Sequence, residues 1–140
     1  MHRSLLNCLP YACLLMATSA SAGDLQVNLH DIRTHTGTLN MAVVDGPAGW
    51  DSKTKPVQAQ SAKATGDEAR FVFKNLPAGD YAVLVTHDEN DNGKLDTNLL
   101  GIPVEGYGFS NNPQVMRKPT FEEARFTVPA NGASIDITLR

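Results

Sequence analysis

Ten consecutive residues carry most of the chemistry available to this chain: His87-Asp88-Glu89-Asn90-Asp91-Asn92-Gly93-Lys94-Leu95-Asp96. Counted from Asp88, oxygen-bearing side chains fall at positions 1, 3, 5 and 9, which are Asp88, Asn90, Asn92 and Asp96. Gly93 stands at position 6, and Lys94 offers its backbone carbonyl at position 7. This is most of an EF-hand-type calcium loop. Ca²⁺ is a hard cation that takes six to eight oxygens, and a tight turn permitted by the glycine aims alternate residues inward. The pattern breaks at position 12, where Leu99 replaces the bidentate glutamate. Glu105, Glu89 or Asp91 are the candidates to complete the shell. The competing reading is a plain turn, since Asn-Asp-Asn-Gly forms one without an ion. A turn alone does not require Asp88 and Asp96 eight residues apart. The expected ion is Ca²⁺, held with the Kd of extracellular modules, about 10⁻⁴ to 10⁻³ M. Mg²⁺ suits the loop less, because it demands strict octahedral geometry.

A second candidate lies downstream. Glu105, Tyr107, Phe109, Asn111 and Asn112 combine a carboxylate, two aromatics and two amides among glycines. Such a set can stack on a saccharide or grip a peptide; packed against a core, the same aromatics would only pin the segment down. Trp50, the single tryptophan, either covers the same end or anchors a ligand. His87 pairs with neither His30 nor His35 at a metal-ligand spacing, so a histidine bonded to backbone at the core edge is expected. Ser110 lies in no nucleophile-elbow context, and no glycine-rich phosphate loop follows a strand. Glu122 and Glu123 are the acidic residues that could join Asp88 or Asp96 in an acid–base pair. The chemistry therefore points away from an enzyme. A hydrolase-like site under the segment 88–122, or a carbohydrate-binding platform of Trp50, Tyr107 and Phe109, stand as alternatives.

The elements that must position these residues are strands. Apolar and polar residues alternate with period two at Leu25–Leu29, Leu39–Val44, Phe71–Phe73, Tyr81–Val85, Phe126–Val128 and Ile135–Leu139, with a weaker run at Val57–Ala64. Turn-forming clusters separate them, among them Gly46-Pro47, Thr65-Gly66-Asp67, Leu76-Pro77-Ala78-Gly79-Asp80 and Ala130-Asn131-Gly132. About seven short strands and no sustained helical period predict an all-β fold, an antiparallel β-sandwich of immunoglobulin-like or prealbumin-like type. Between Asp88 and about Glu122 no strand signal appears, yet Leu95, Leu99, Leu100, Ile102, Val104, Tyr107, Phe109 and Phe121 make the stretch too apolar for a solvated linker. It reads as a long ordered flap after the fifth strand, rooted in the calcium loop.

The N-terminus reads as a secretory signal. Arg3 precedes a mostly apolar run from Leu5 to Met16, and Ala20-Ser21-Ala22 has the form of a cleavage site. The run is short of the roughly 20 residues of a membrane span. Removal of residues 1–22 from the 140 leaves 118, enough for one domain at 23–140. Cys8 and Cys13 leave with it, so the mature chain carries no disulfide. Loss of Arg3 moves the net charge from −3 to −4, which favours neither nucleic acid nor an anionic surface. The expected location is the periplasm or the extracellular space, and the expected partner a protein, peptide or saccharide.

One resemblance covers nearly the whole mature chain. His87-Asp88-Glu89-Asn90 through Gly93-Lys94-Leu95-Asp96, Leu100-Gly101-Ile102-Pro103, Glu105 through Asn112, and Pro119-Thr120-Phe121-Glu122-Glu123-Ala124 together resemble a bacterial secreted family catalogued as domain of unknown function 2141. The resemblance implies a small exported β-sandwich of the transthyretin or carboxypeptidase-regulatory type. Leu76-Pro77-Ala78-Gly79-Asp80-Tyr81 is similar to a corner of that broader group. It brings no activity and no catalytic residues.

Overall fold

The computed structural model describes residues 22–140; the expected signal segment, with Cys8 and Cys13, lies outside them apart from Ala22. Two sheets face each other. The first has the order β4-β1-β8, built from β1 (Ala22–His30), β4 (Ala69–Pro77) and β8 (Ala133–Thr138). The second has the order β3-β2-β5-β6, from β2 (Thr38–Val44), β3 (Gln58–Lys63), β5 (Gly79–Asp88) and β6 (Tyr107–Phe109), with β7 (Phe126–Val128) pairing the start of β5. The period-two alternation explains the arrangement. Leu25, Val27 and Leu29 turn inward from β1, Leu39, Met41 and Val43 from β2, Phe71 and Phe73 from β4, and Tyr81, Val83 and Val85 from β5, all into one buried cluster. Among the described residues, the buried members of that cluster run from Leu25 to Leu139.

Two features differ from the expectation. β6 is an eighth strand inside the stretch that carried no strand signal; three residues are too few for alternation to register, and Gly108 interrupts them. β1 and β8 run parallel, with Val27 opposite Ile135 and Leu29 opposite Ile137, so the sandwich is mixed rather than wholly antiparallel. Side-chain alternation specifies which face is buried but not strand direction, which depends on the connections.

Both lateral seams of the sandwich are tied. Gln58 Nε2 donates to Lys74 O at 2.8 Å and Gln60 Nε2 to Val72 O at 2.7 Å, so the edge strand β3 reaches across to β4. On the other side the Tyr107 and Arg140 backbones exchange hydrogen bonds of 3.2 and 2.9 Å, joining β6 to the residues after β8. These contacts occupy edge groups that would otherwise pair with another chain.

The turn from β4 to β5 is held by Tyr81, whose hydroxyl donates to Pro77 O at 2.6 Å. This is the tyrosine corner that the Leu76–Tyr81 resemblance implied. Tyr81→Phe removes one partly buried hydrogen bond and should cost about 1 kcal/mol, lowering the melting temperature by a few degrees in a thermal melt.

Two single helical turns complete the fold, α1 (Pro47–Trp50) and α2 (Phe121–Ala124). Thr120 caps α2 through a reciprocal capping box with Glu123. The Arg117 guanidinium, bonded to Glu123 at 2.8 and 2.9 Å, and then the Thr120 backbone N–H hold the Glu123 carboxyl down at about 2, from an ordinary 4.5. A lowered carboxylate stabilises the fold above its ordinary value and loses that contribution as pH falls toward the lowered one. Wild type should therefore lose more melting temperature than Glu123→Gln between pH 4.5 and 2. Parallel acid melts of the two proteins check the sign.

Candidate functional site

The site begins where β5 leaves the sheet. Thr38 on β2 pairs with Asp88 and Leu39 with His87, so the core-facing strand delivers Asp88 at a fixed place. The preceding turn crowds against it. Gly37 has φ +78°, and a Cβ there would lie 2.0 Å from Asp88 O, so only glycine fits. Asp88 is buried, and its carboxylate collects the loop: Oδ1 accepts from Asn92 N at 3.0 Å and Oδ2 from Gly93 N at 2.7 Å. Gly93 adopts φ +84°, the left-handed conformation required by the sharp turn at the sixth loop position.

The other side chains of the loop converge. Asn90 Nδ2 donates to Asp96 Oδ2 at 2.8 Å, and Asn92 Nδ2 donates to both Asp96 oxygens at 2.9 and 2.8 Å. These amides, first Asn92 and then Asn90, hold the Asp96 carboxyl below its ordinary value. Lys94 enters through its backbone N–H, which donates to Asn92 Oδ1 at 3.1 Å, and through its ammonium 3.9 Å from Asp96. Asp88, Asn90, Asn92 and Asp96 thus lie in one hydrogen-bonded knot. A half-turn of the two carboxamides would place oxygen instead of N–H beside the Asp96 carboxylate, at the expense of three amide-to-carboxylate bonds and two local turn bonds.

The candidates for the missing twelfth ligand are employed otherwise. Leu99, at position 12, is fully exposed at the end of a small hairpin. Asp91 accepts from Thr38 at 2.6 Å and Lys63 at 2.7 Å. Glu89 accepts from Arg33 Nε at 2.7 Å and Gly106 N at 3.0 Å. Glu105, only 5% exposed, accepts from Glu89 N at 2.9 Å through one oxygen and from Asp96 N at 2.8 Å through the other. That carboxylate spans both ends of the loop and is its main clasp. Its role was not legible from spacing, because it depends on two backbone N–H groups nine and sixteen residues away.

The downstream candidate surface resolves into internal tethers. Glu105 faces the loop rather than solvent. Tyr107 and Phe109 lie half-buried on β6, with ring centroids 5.8 Å apart. Asn111 Nδ2 donates to Arg125 O at 2.6 Å, while Asn112 bonds Asp136 O and Thr138 N at 3.1 and 2.9 Å. Ser110, fully buried, donates to Ala124 O at 2.5 Å and accepts from Val83 N at 2.9 Å. Trp50 is 3% exposed, donates to Pro119 O at 2.8 Å, and packs on Phe109 with the rings tilted 47°. With Trp50 buried, Tyr107 and Phe109 half-buried and the rings tilted against one another, these aromatics do not form a flat exposed platform for a sugar.

The histidines lie apart. His87 is fully buried, and its Nε2 donates to Thr36 O at 2.7 Å. His30 sits between Glu68 and Asp136 at 3.0 and 2.9 Å, and those carboxylates raise its pKa. His35 bonds Asp67 at 2.6 Å. Glu123 pairs with Arg117 and Glu122 with Arg125, away from Asp88 and Asp96 in their partners. Among the described residues, no three His, Cys, Asp or Glu side chains gather as a metal-holding group. No helix among them is long and apolar enough to cross a membrane.

Fold and loop together define a class: an all-β two-sheet protein with a long ordered connection closed by a carboxylate. Residues 27–136 match the model of the family described as "Uncharacterized protein conserved in bacteria (DUF2141)", and the chain belongs to that family. Comparison with curated proteins and with solved structures found no match.

Glu105→Ala leaves the Glu89 and Asp96 N–H groups without their charged acceptor. Hydrogen bonds to a charged group contribute about 1.5–3 kcal/mol each, so losing the two should total about 3–6 kcal/mol. Glu105→Gln, which keeps one acceptor oxygen, should lose less. Thermal melts, with limited proteolysis between residues 89 and 104, give the comparison.

Proposed function

We propose that this protein is an exported β-sandwich that works as a binding or structural module, and that a weakly held calcium ion stabilises its Asp88–Asp96 loop. The observation that carries the reading is the convergence of the Asn90 and Asn92 carboxamides on the Asp96 carboxylate, while Asp88 gathers the Asn92 and Gly93 N–H groups. The side chains at loop positions 1, 3, 5 and 9 are thereby linked in one hydrogen-bonded network, with the two carboxamides turned nitrogen-first toward Asp96. Asp88, Asn90, Asn92, the Lys94 carbonyl and Asp96 would hold the ion. Bound there, calcium would replace amide-to-carboxylate bonds with ion-to-oxygen bonds and tighten the root of the hairpin that follows. A module with an incomplete shell binds weakly, which suits the higher calcium levels outside the cytoplasm.

A hydrolase reading draws no comparable support. It needs His87 facing a pocket with acidic residues and Tyr107, whereas His87 is fully buried with Nε2 bonded to backbone.

Calcium binding to the folded state alone adds RT ln(1 + [L]/Kd), about 1.4 kcal/mol at ten times Kd. The melting temperature of the chain from Ala22 should therefore rise by a few degrees across a calcium series, relative to EDTA and to magnesium. Asp96→Ala should abolish the calcium-dependent increment whatever it does to the baseline. Superimposable wild-type melts would leave the loop as turn chemistry.

A further inference from the structure

His30 is the last residue of β1 and lies on the outer face of the first sheet, next to the core residue Leu29. Register places its neighbours. Leu29 is opposite Ala69 on β4, so the next pair along sets His30 across from Glu68. On the parallel side His30 is opposite Thr138, and Asp136 stands two residues back on the same face of β8. The ring is engaged at both ends. Nδ1 lies 3.0 Å from Glu68 Oε1, and Nε2 lies 2.9 Å from Asp136 Oδ1. An ionised carboxylate only accepts, so both ring nitrogens must donate, and only the imidazolium has two N–H groups. The geometry is that of a protonated histidine, and the pKa is raised above the ordinary 6.5, by Asp136 first and by Glu68 next. Arg70 on β4 is the other charged residue lining the cleft around the ring, and no hydrogen bond among the described residues ties it to either carboxylate. Arg140, beyond β8, turns to the Pro113 and Val115 carbonyls.

Glu68 matters for what it carries. Residues 64–68 turn the chain from β3 into β4, and the turn is bonded to the loop 31–37. Ile32 N donates to Asp67 O at 3.0 Å, and Ala64 N donates to Gly37 O at 3.1 Å. His35 meets Asp67 at 2.6 Å on the same turn. The loop in its turn seats the start of the long connection after β5. Arg33 Nε donates to the Glu89 carboxylate at 2.7 Å, and Thr36 Oγ1 donates to the Glu89 carbonyl at 3.3 Å. The turn 64–68 therefore backs the loop on which that connection rests.

We propose that His30 is a pH-operated latch: its imidazolium ties the 64–68 turn to β1 and β8, and its neutral form releases Glu68. A neutral ring keeps one N–H. Asp136 retains it, because that carboxylate is the nearer and is also held by Asn28 Nδ2 at 3.3 Å. Nδ1 then turns a lone pair toward Glu68, whose side chain is 72% exposed and can swing into water. With that tie lost, the turn is held to the loop 31–37 by its two backbone bonds and the His35–Asp67 contact. The sign follows from the raised pKa. The tie is fully present below 6.5, where histidine is protonated both folded and unfolded, and it is lost as pH rises through the folded value. The latch is independent of whether calcium binds at Asp88–Asp96.

The test joins two NMR measurements on the protein in EDTA. The first follows the His30 ring through a pH titration. Its midpoint should lie above 6.5 in wild type and fall in Asp136→Asn and, by less, in Glu68→Gln. The second follows amide exchange of Ile32, the buried donor to the turn, as a protection factor, which already corrects for base catalysis of exchange. That factor should fall as pH rises through the His30 midpoint, while the factor of Val83 in the core of β5 stays level. In His30→Gln and in Glu68→Gln the Ile32 factor should be low and level across the same range. All the substituted side chains are at the surface, and the wild-type titration stands on its own if a variant fails to fold. A His30 midpoint at or below 6.5 overturns the proposal. So does an Ile32 factor that stays level in wild type, which would leave His30 an ordinary surface ion pair. The same fall in His30→Gln also overturns it and assigns the pH response to another group.

Discussion

The buried Glu105 carboxylate organises the long connection after β5. Glu105 accepts one N–H from each end of the Glu89–Asp96 segment, and both bonds are charge-assisted in a site nearly closed to water. Without that clasp the long connection after β5 would have to be ordered by weak surface contacts against a large conformational entropy. With it, Asp88 can hold the turn from inside, and Asp96 can serve as both the far wall of the loop and the base of the hairpin.

The sandwich supplies the anchorage that the clasp presumes. β5 is the strand through which the second sheet is connected, pairing with β2, β6 and β7. Its last residues, His87 and Asp88, are buried at the rim of the core. Gly106 closes the circuit: its carbonyl accepts from His87 N at 2.8 Å, and β6 then returns the chain to the sheet. The segment beyond β6 is fastened by Ser110, Asn111, Asn112 and Trp50, chiefly through bonds to backbone. The rigid part of the connection thus lies on either side of the loop, and its exposed part is confined to the hairpin.

Most of the fold was legible because alternation is a strong signal wherever one face of a strand is buried. Leu25–Leu29, Leu39–Val44 and Tyr81–Val85 each point their apolar members into the core as their spacing implies. Even the weak run at Val57–Ala64 forms a strand, which lies at the edge of its sheet. Strand direction and the three-residue β6 were not legible, since neither leaves a periodic trace. At the site, Asp88, Asn90, Asn92 and Asp96 come together as their spacing suggests. For the amide and aromatic residues from Tyr107 to Asn112 composition left two readings open, because a side chain that tethers backbone and one that grips a ligand are of the same types; the structure shows their tethering bonds. Glu105 was visible as an acid but not as a clasp. The apolar run Leu99–Val104 read as packing material, and only three-dimensional exposure shows it facing outward.

Amide hydrogen exchange read residue by residue on the chain from Ala22 tests the account most directly. If carboxylates order the loop, the amides of Glu89, Asn92, Gly93 and Asp96 exchange far more slowly than unprotected chain. If calcium completes it, those same amides slow further when the ion is added, while amides in the core strands do not change. Exchange of all four near the rate of unfolded peptide, with or without calcium, would contradict the claim that Asp88 and Glu105 hold this end of the molecule together.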